Sequence, residues 1–151
     1  MNYSKEIALN KLKHYCAYQD RSHREVRTKL LKLEVYGDDL EEIMNELIKE
    51  KYLDELRYAC SFARGKFRMK KWGRNKIKQH LKQHEISDYC LRKAMKEIDE
   101  EEYLSVLEEL IEKKKLDYAD TNTFKQNQKV IKYCISRGFE MQLILEIIGG
   151  N

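Results

Sequence analysis

The residues with the clearest chemical potential form one basic segment near the middle of the chain. Residues 64–78 read RGKFRMKKWGRNKIK and contain no Asp or Glu. The basic residues of this segment are Arg64, Lys66, Arg68, Lys70, Lys71, Arg74, Lys76 and Lys78. Like charges this close repel one another on a helix unless acidic neighbours at i+4 relieve them. The segment therefore predicts a surface for a partner that carries phosphates or carboxylates. The alternative is a solvated helix face that keeps the chain soluble.

Three further types of residue accompany the cations. Phe67 and Trp72 lie inside the basic segment, where an aromatic ring can stack on an exposed base. Either ring can instead belong to the core, and this alternative is stronger for Phe67. Arg21 and Arg137 flank predicted turns, where a guanidinium either holds helix-end carbonyls or contacts a partner. Trp72, Arg21 and Arg137 thus join the eight basic residues as candidates for partner or nucleic-acid binding.

Motifs for catalysis are missing from the sequence. His80 and His84 have the i,i+4 spacing of two metal ligands, but no third ligand follows at a useful distance, so solvent-facing histidines are the simpler interpretation. There is no glycine-rich phosphate loop, no HExxH and no nucleophile in a recognisable context. We expect no enzymatic activity, no metal and no cofactor.

Cysteine spacing and hydropathy bear on the compartment. The four cysteines (Cys16, Cys60, Cys90 and Cys134) are far apart and form no CxxC pair. This pattern predicts free, buried thiols in a reducing cytoplasm, with two disulfides as the alternative. No apolar stretch approaches the ~18 residues that a membrane span needs, and the first residues lack the apolar core of a signal peptide. We expect a cytoplasmic monomer that does not enter a membrane.

The elements that must position these residues are helices. The 151 residues include no proline and only six glycines, and 37 % are charged. The formal net charge of +4 is modest, but the basic segment contrasts with acidic stretches at residues 38–55 and 99–102. Without proline, and with abundant Lys, Glu and Leu, little interrupts helices. The fold class is therefore predicted to be all-α.

Apolar positions repeat along the chain. A shift of 51 residues places Val26 on Ile77, Leu30 on Leu81, Val35 on Ile86, Leu40 on Leu91, Ile43 on Ala94 and Leu47 on Ile98. A further shift of 53 continues the first five of these to Val130, Cys134, Phe139, Ile144 and Ile147. The sequence predicts three tandem three-helix, helix-turn-helix-like repeats, residues 1–51, 52–101 and 102–151. Because short helices are marginal alone, the repeats should stack into an elongated, curved array.

Local signals place helix ends within the first repeat. Ser22 and Glu25 read as a capping box that begins its second helix. That helix is predicted to end near Gly37, and Asp38 or Asp39 to cap the third helix. Further along, Asp54 is predicted as an N-cap, Gly138 as a helix end with positive φ, and Phe139 as a core residue.

Four ordered segments resemble the RecX family. Residues 21–30, RSHREVRTKL, are similar to the family's R-S-x-x-E-L-x-x-K-L, and residues 52–62, YLDELRYACSF, to its G-Y-L-D-D-x-x-F-A. The second repeat has the basic segment together with Gly73, Ile77 and Leu81 at spacing four, and residues 131–139, IKYCISRGF, are similar to the family's K-x-x-x-x-L-x-R-R-G-F. The resemblance covers residues 5–148. Where the family often has Lys-Gly, this chain has Leu33-Glu34 and His84-Glu85.

The resemblance implies a regulatory role in DNA repair, recombination and the SOS response. RecX-like proteins bind RecA filaments on single-stranded DNA in the filament groove and restrain filament growth, ATPase and strand exchange. The expected partners are RecA and single-stranded DNA, the latter either directly or only through the filament. The alternative function is a general helical DNA-binding protein that acts through its basic middle repeat.

Overall fold

The computed structural model describes residues 4–149. Its regular secondary structure in that range consists of helices joined by short turns, with no strand. The helices are α1 (Lys5–Tyr18), α2 (His23–Lys32), α3 (Gly37–Lys49), α4 (Glu55–Lys70), α5 (Arg74–Gln83), α6 (Asp88–Met95), α7 (Glu100–Asp117), α8 (Thr123–Ser136) and α9 (Met141–Gly149). The all-α prediction is confirmed. The chain divides into two compact units. Unit 1 comprises the described residues up to Ser61 together with Leu81–Lys93, and unit 2 comprises Phe62–His80 and the described residues from Ala94 onward. The three repeat boundaries and the curved stacking stay predictions.

Unit 1 is built around the mutual packing of α1, α2 and α3. Each helix contributes apolar residues at i, i+3 or i+4, so each turns one stripe inward. The resulting cluster of buried residues is Ala8, Leu12, Cys16, Val26, Leu30, Val35, Leu40, Ile43, Met44, Leu47 and Leu53. Leu40, Ile43 and Leu47, which the repeat alignment marks as apolar positions, belong to it. A ten-residue helix such as α2 is marginal alone, and this burial is what stabilises it.

Unit 2 centres on α7, α8 and α9, which pack against one another. Its largest fully buried side chains are Tyr103 and Phe139, whose ring centroids lie 5.1 Å apart. Phe67 packs against Tyr103 from the other side at 5.7 Å between centroids and is only 2 % exposed. Phe67 is therefore a core residue, which leaves Trp72 as the aromatic candidate within the basic segment.

Three helices end in the same way, at positions that the predicted repeat aligns. In α2, α5 and α8 the last turn is closed by a residue with positive φ: Glu34 (62°), Glu85 (60°) and Gly138 (99°). The next residue's N–H returns to a carbonyl five residues back, as in Val35 to Leu30, Ile86 to Leu81 and Phe139 to Cys134. This pairing is the Schellman motif, which satisfies carbonyls that the helix leaves unpaired. The two glutamates occupy the positions where the related family often has glycine.

Several predicted helix ends are confirmed and others are wrong. The Ser22–Glu25 capping box is present, and Asp54 accepts the Arg57 N–H at 2.9 Å. The prediction that the second helix ends near Gly37 is wrong, since α2 ends at Lys32 and Glu34 takes the left-handed turn. Asp38 and Asp39 do not cap α3, because they already lie in its first turn. There their negative charges interact favourably with the positive end of the helix dipole.

Candidate partner-binding surface

The basic segment lies wholly within unit 2, on the C-terminal part of α4 and the N-terminal part of α5. A tight turn separates the two helices: Lys71 has a φ of 55°, and the Trp72 N–H donates to the Lys66 carbonyl at 3.1 Å. This turn divides the cations into those of α4, those of the turn and those of α5. Their surroundings differ, so each group is described separately.

Arg74, at the start of α5, is held within unit 2 by acidic and aromatic side chains. Its guanidinium donates to Glu140 at 2.8 Å and to Glu100, and it lies 3.9 Å from the centroid of the Tyr103 ring. The side chain is only 17 % exposed. Burial lowers the pKa of Arg74, but the hydrogen bond and charge of Glu140 outweigh burial, and the net shift is upward.

Tyr103 completes this Arg74 cluster. Its hydroxyl accepts the backbone N–H of Arg74 at 2.9 Å and donates to Glu140. Burial, followed by the bond to Glu140, raises the pKa of Tyr103 well above its ordinary value, so the hydroxyl stays protonated and continues to donate. The cluster therefore ties the start of α5 to α7 and to the residue before α9.

Acids distant in sequence relieve part of the repulsion that the basic segment implied. Besides Glu100 and Glu140 on Arg74, Glu97 forms an ion pair with Arg64. The segment itself holds no acid at i+4, and for that reason the sequence predicted an outside partner. These three acids lie 26 to 66 residues from their arginines. No local spacing signals such pairs.

Trp72 forms a second cluster with two lysines of the segment. The ammonium of Lys76 is 4.6 Å from the centroid of the Trp72 rings, and that of Lys66 is 5.0 Å away. His80 packs at 4.7 Å between centroids, and Phe62 approaches edge-on at 6.2 Å. Cations are attracted to the faces of aromatic rings, so Trp72 holds both lysines in place. Stacking of Trp72 on a base stays a prediction, and a base would compete with these lysines for the indole.

The basic ridge, Arg68, Lys70 and Lys71, is the exposed remainder of the segment. Among the residues that the structure describes, no carboxylate lies within ion-pair distance of these three side chains. Lys78, on α5, is half-buried. Part of the ridge is explained locally, because cations at the C-terminus of a helix interact favourably with its dipole. The ridge is nevertheless the part of the basic segment that is open to an anionic partner.

Arg137 and Arg21 both hold helix-end carbonyls, as one of their two predicted roles required. Arg137 donates to the carbonyl of Lys70 at the end of α4. Arg21 donates through Nε to the Tyr15 carbonyl at 3.0 Å, with its guanidinium 3.7 Å from the Tyr15 ring centroid. The first contact lies in unit 2 and the second in unit 1. A partner contact by either arginine stays a prediction.

The sequence makes predictions about membrane-spanning helices, metal ligands, histidines and cysteines. Within residues 4–149, no helix is long and apolar enough to cross a membrane, and no three His, Cys, Asp or Glu side chains gather as metal ligands. His84 Nδ1 lies 2.9 Å from the Ser22 hydroxyl, and His80 packs on the rings near Trp72. None of the four cysteines forms a disulfide; three of them are buried and Cys60 is half-buried. Burial raises the pKa of Cys16 and of Cys134 to about 11, which keeps both thiols protonated at neutral pH.

The succession of short helices is typical of a protein built from small three-helix modules, and the second of them carries the basic segment. Residues 54–95 match the model of the second three-helix domain of RecX, and residues 100–148 match that of the third. These two matches together cover more than half of the chain, which belongs to the RecX family. The family predicted from the four sequence segments is confirmed, and so is the class of three-helix repeats.

Relatives and solved structures agree with this assignment. The chain is 30 % identical to the regulatory protein RecX of Leuconostoc mesenteroides over 142 residues, which cover 94 % of this chain and 51 % of the relative. Identity to regulatory protein RecX of Streptococcus uberis is also 30 %, over 99 % of this chain and 55 % of that protein. The chain thus spans about half the length of these curated relatives.

The crystal structure of RecX from Lactobacillus salivarius superimposes with a TM-score of 0.86 at 26 % identity, covering 95 % of this chain and 94 % of that one. A second crystal structure of regulatory protein RecX gives a TM-score of 0.86 at 23 % identity.

Proposed function

We propose that this protein is a non-enzymatic regulator that binds RecA filaments on single-stranded DNA and negatively modulates their ATPase, strand exchange and growth. It acts as a cytoplasmic monomer in DNA repair, recombination and the SOS response. Membership of a family of regulatory proteins supports this proposal, as do the four cysteines, none of which forms a disulfide, a pattern that suits a reducing compartment. The observation that carries it is the basic ridge, whose three exposed cations have no acidic partner in the described part of the chain.

We expect this protein to regulate RecA by binding alone, without a chemical reaction of its own. A protein that only binds changes another protein's activity through the states it favours or blocks, so its effect saturates with occupancy. The ridge supplies long-range attraction to a negatively charged assembly and speeds association, with a strength that falls as salt rises. Arg64 and Arg74 form ion pairs with acids of the same unit, so we assign these two arginines to the fold of unit 2. The ridge has no such ion pairs, and we assign recognition of the partner to it.

The experiment is the single-stranded-DNA-dependent ATPase of the cognate RecA, titrated with this protein at amounts well below one per RecA. We expect the ATPase to fall at such ratios. The variant R68E/K70E/K71E should lose most of that inhibition, while Arg74 is left intact because replacing it would disrupt its cluster with Tyr103 and Glu140.

The matched control carries the same charge change on exposed lysines of unit 1, K32E/K49E/K51E. It should inhibit nearly as well as the unaltered protein. Equal loss in the two triple variants would show that net charge, and not the ridge, matters. No effect of the unaltered protein on the ATPase, even in excess and at low salt, would contradict the filament role and favour the alternative of a general DNA-binding protein.

A further inference from the structure

We infer that a pocket between α7 and α8 in unit 2 binds a phosphate group of single-stranded nucleic acid, an inference that rests on the proposed function and adds direct contact with DNA to it. The pocket has a volume of about 350 Å³. Lys71 lies at one side, Lys113 and Lys114 of α7 at another, and Tyr133 and Arg137 at the α8 side. Lys113, Lys114 and Tyr133 were not among the binding residues predicted from the sequence.

The charge of the pocket favours an anion. Its lining holds four basic residues against two acidic ones, Glu109 and Asp117. Lys114 is already occupied, since its ammonium lies 3.1 Å from Asp117 and 4.1 Å from the centroid of the Tyr133 ring. Lys71 and Lys113 form no ion pair within the described residues and are both exposed. Two ammonium groups without an ion-pair partner among the described residues therefore line the same concave surface.

Arg137 adds an independent indication of an anion-binding site. One of its Nη atoms donates to the Lys70 carbonyl, which fixes the guanidinium at the pocket wall. Its Nε, in contrast, is enclosed and has no hydrogen-bond acceptor, although all other enclosed side-chain nitrogens and oxygens of the described residues have a partner. A buried donor without an acceptor is unfavourable. An anion in the pocket supplies that acceptor after a small movement of the guanidinium.

The position of the pocket favours a nucleic-acid phosphate over a protein carboxylate. Lys71 belongs to both the pocket and the basic ridge, so a ligand in the pocket continues onto Lys70 and Arg68. A nucleic-acid strand carries one phosphate per nucleotide and can neutralise the pocket and the ridge together, with release of counterions at each contact. An isolated carboxylate of a folded partner neutralises only one of them.

The test is the binding of a labelled oligo-dT to the whole chain, measured by fluorescence anisotropy over a series of salt concentrations. Each lost phosphate contact on single strands lowers the slope of log affinity against log salt by about 0.7. We expect Lys113→Gln to lower the slope by about that amount and to weaken binding several-fold at low salt, and K71Q/K113Q to lower it by about twice as much. Lys113 is exposed on α7, so its replacement should leave the helical circular dichroism unchanged.

The matched control is Lys49→Gln, which removes one charge from an exposed position of α3. An equal change of slope in Lys113→Gln and Lys49→Gln would overturn the site. Poly-glutamate, added as a competitor at the same concentration of anionic groups, should displace the oligonucleotide poorly. Equally effective displacement would overturn the assignment to phosphate and indicate a carboxylate ligand.

The RecA ATPase separates this inference from the proposed function. An unaltered chain that inhibits RecA but does not bind oligo-dT would overturn the pocket and leave the filament role intact. Oligonucleotide binding that depends on Lys113, in a chain without any effect on RecA, would uphold the pocket and contradict the filament role.

Discussion

The N-terminus of α2 in unit 1 and the N-terminus of α5 in unit 2 each meet the C-terminal end of another helix, but with different chemistry. In unit 1 the contact is made through side chains: the Ser22 hydroxyl lies 2.9 Å from His84 Nδ1, and Arg24 donates to the Gln83 carbonyl at the end of α5. In unit 2 it is made through the backbone: the N–H groups of Gly73 and Asn75 donate to the carbonyls of Arg137 and Gly138, at 2.7 and 2.9 Å. The predicted repeat alignment makes Ser22 and Gly73 equivalent.

The difference lies in how closely the backbones approach. A Cβ on Gly73 would lie 2.3 Å from the Gly138 carbonyl carbon, and one on Gly138 would lie 2.4 Å from the Lys76 Cβ. Glycine is therefore required on both sides in unit 2, where unpaired N–H groups of one helix meet unpaired carbonyls of the other. In unit 1 a buried serine fills the extra space and caps its own helix. One position thus serves a side-chain contact in one unit and a backbone contact in the other.

The largest expected effect comes from filling the space in unit 2. Gly73→Ala forces the Cβ against backbone atoms that cannot rotate away, so the two helix ends must separate and lose both hydrogen bonds. Overpacking of this kind costs typically 1–3 kcal/mol, and with the lost bonds we expect the free energy of unfolding to fall by about 3 kcal/mol or more. Urea unfolding followed by circular dichroism measures it.

Gly65→Ala is the matched control for this variant. Gly65 lies inside α4, and a Cβ there meets no atom within 4 Å. Alanine should raise stability by about 1 kcal/mol through its helix propensity. If Gly73→Ala behaved like Gly65→Ala, the close backbone contact in unit 2 would be wrong.

Alkaline pH tests a property that the two units share. Each buries a thiol with a pKa of about 11, Cys16 in unit 1 and Cys134 in unit 2, against an ordinary value of 9.0. The folded state keeps its proton longer than the unfolded state, so this stability is complete below pH 9 and declines as pH rises from 9 toward 11. A shift of this size corresponds to about 3 kcal/mol per thiol. Urea midpoints measured from pH 8 to pH 10.5 should fall.

Cysteine variants separate the two contributions. In Cys134→Ala, the midpoint should be lower at pH 8 because a small cavity is left, but its decline above pH 9 should be shallower. Cys16→Ala should flatten the remaining decline by a similar amount. A decline as steep in the double variant as in the unaltered chain would assign the alkaline loss to other groups, such as the buried Tyr58 and Tyr103, whose pKa values burial also raises.

Local patterns in the sequence predicted most of the fold. The apolar repeat identified residues that are fully buried, such as Val26, Ile77 and Val130, because burial of a helix face imposes its period on the sequence. The capping box was found because its two residues are three positions apart and each side chain bonds to the other's backbone N–H. Both signals are contained within a few turns of one helix.

The features that sequence analysis missed depend on distant parts of the chain. The acids that hold Arg74, and the lysines of α7 beside the inferred pocket, are brought to the basic segment only by folding. Gly37 was taken for the end of the second helix because glycine favours positive φ; its φ is 57°, but the helix is already closed at Glu34, three residues earlier. Propensity marks where a left-handed residue costs least, and packing of Val35 decides where it is needed.

In unit 1, loss of the side-chain contact should cost less than the clash in unit 2. Ser22→Ala removes the N-cap oxygen that accepts the Glu25 N–H at 3.0 Å, together with the contact to His84. N-cap replacements of this type cost about 1 kcal/mol, and the second contact should bring the loss to between about 1 and 2 kcal/mol. Ser22→Gly, the residue of unit 2 at this position, should recover part of it, since glycine is the better N-cap of the two. A loss in Ser22→Ala as large as in Gly73→Ala, by urea unfolding, would remove the distinction between the two contacts.

The smallest effect concerns the helix end that receives each contact. In unit 2 this end turns at Gly138, whereas in unit 1 it turns at Glu85, with a φ of 60°. A left-handed conformation costs a residue with a Cβ about 1 kcal/mol, and glycine avoids that cost. Glycine also makes the unfolded chain more flexible, which offsets part of the gain in stability. We therefore expect Glu85→Gly to stabilise the protein by about 0.5–1 kcal/mol, measured by urea unfolding. Glu85→Ala removes the same carboxylate but keeps the Cβ, so it should bring no gain. If alanine stabilised the chain as much as glycine, the gain would come from the lost charge, and the difference between the two helix ends would not be one of backbone strain.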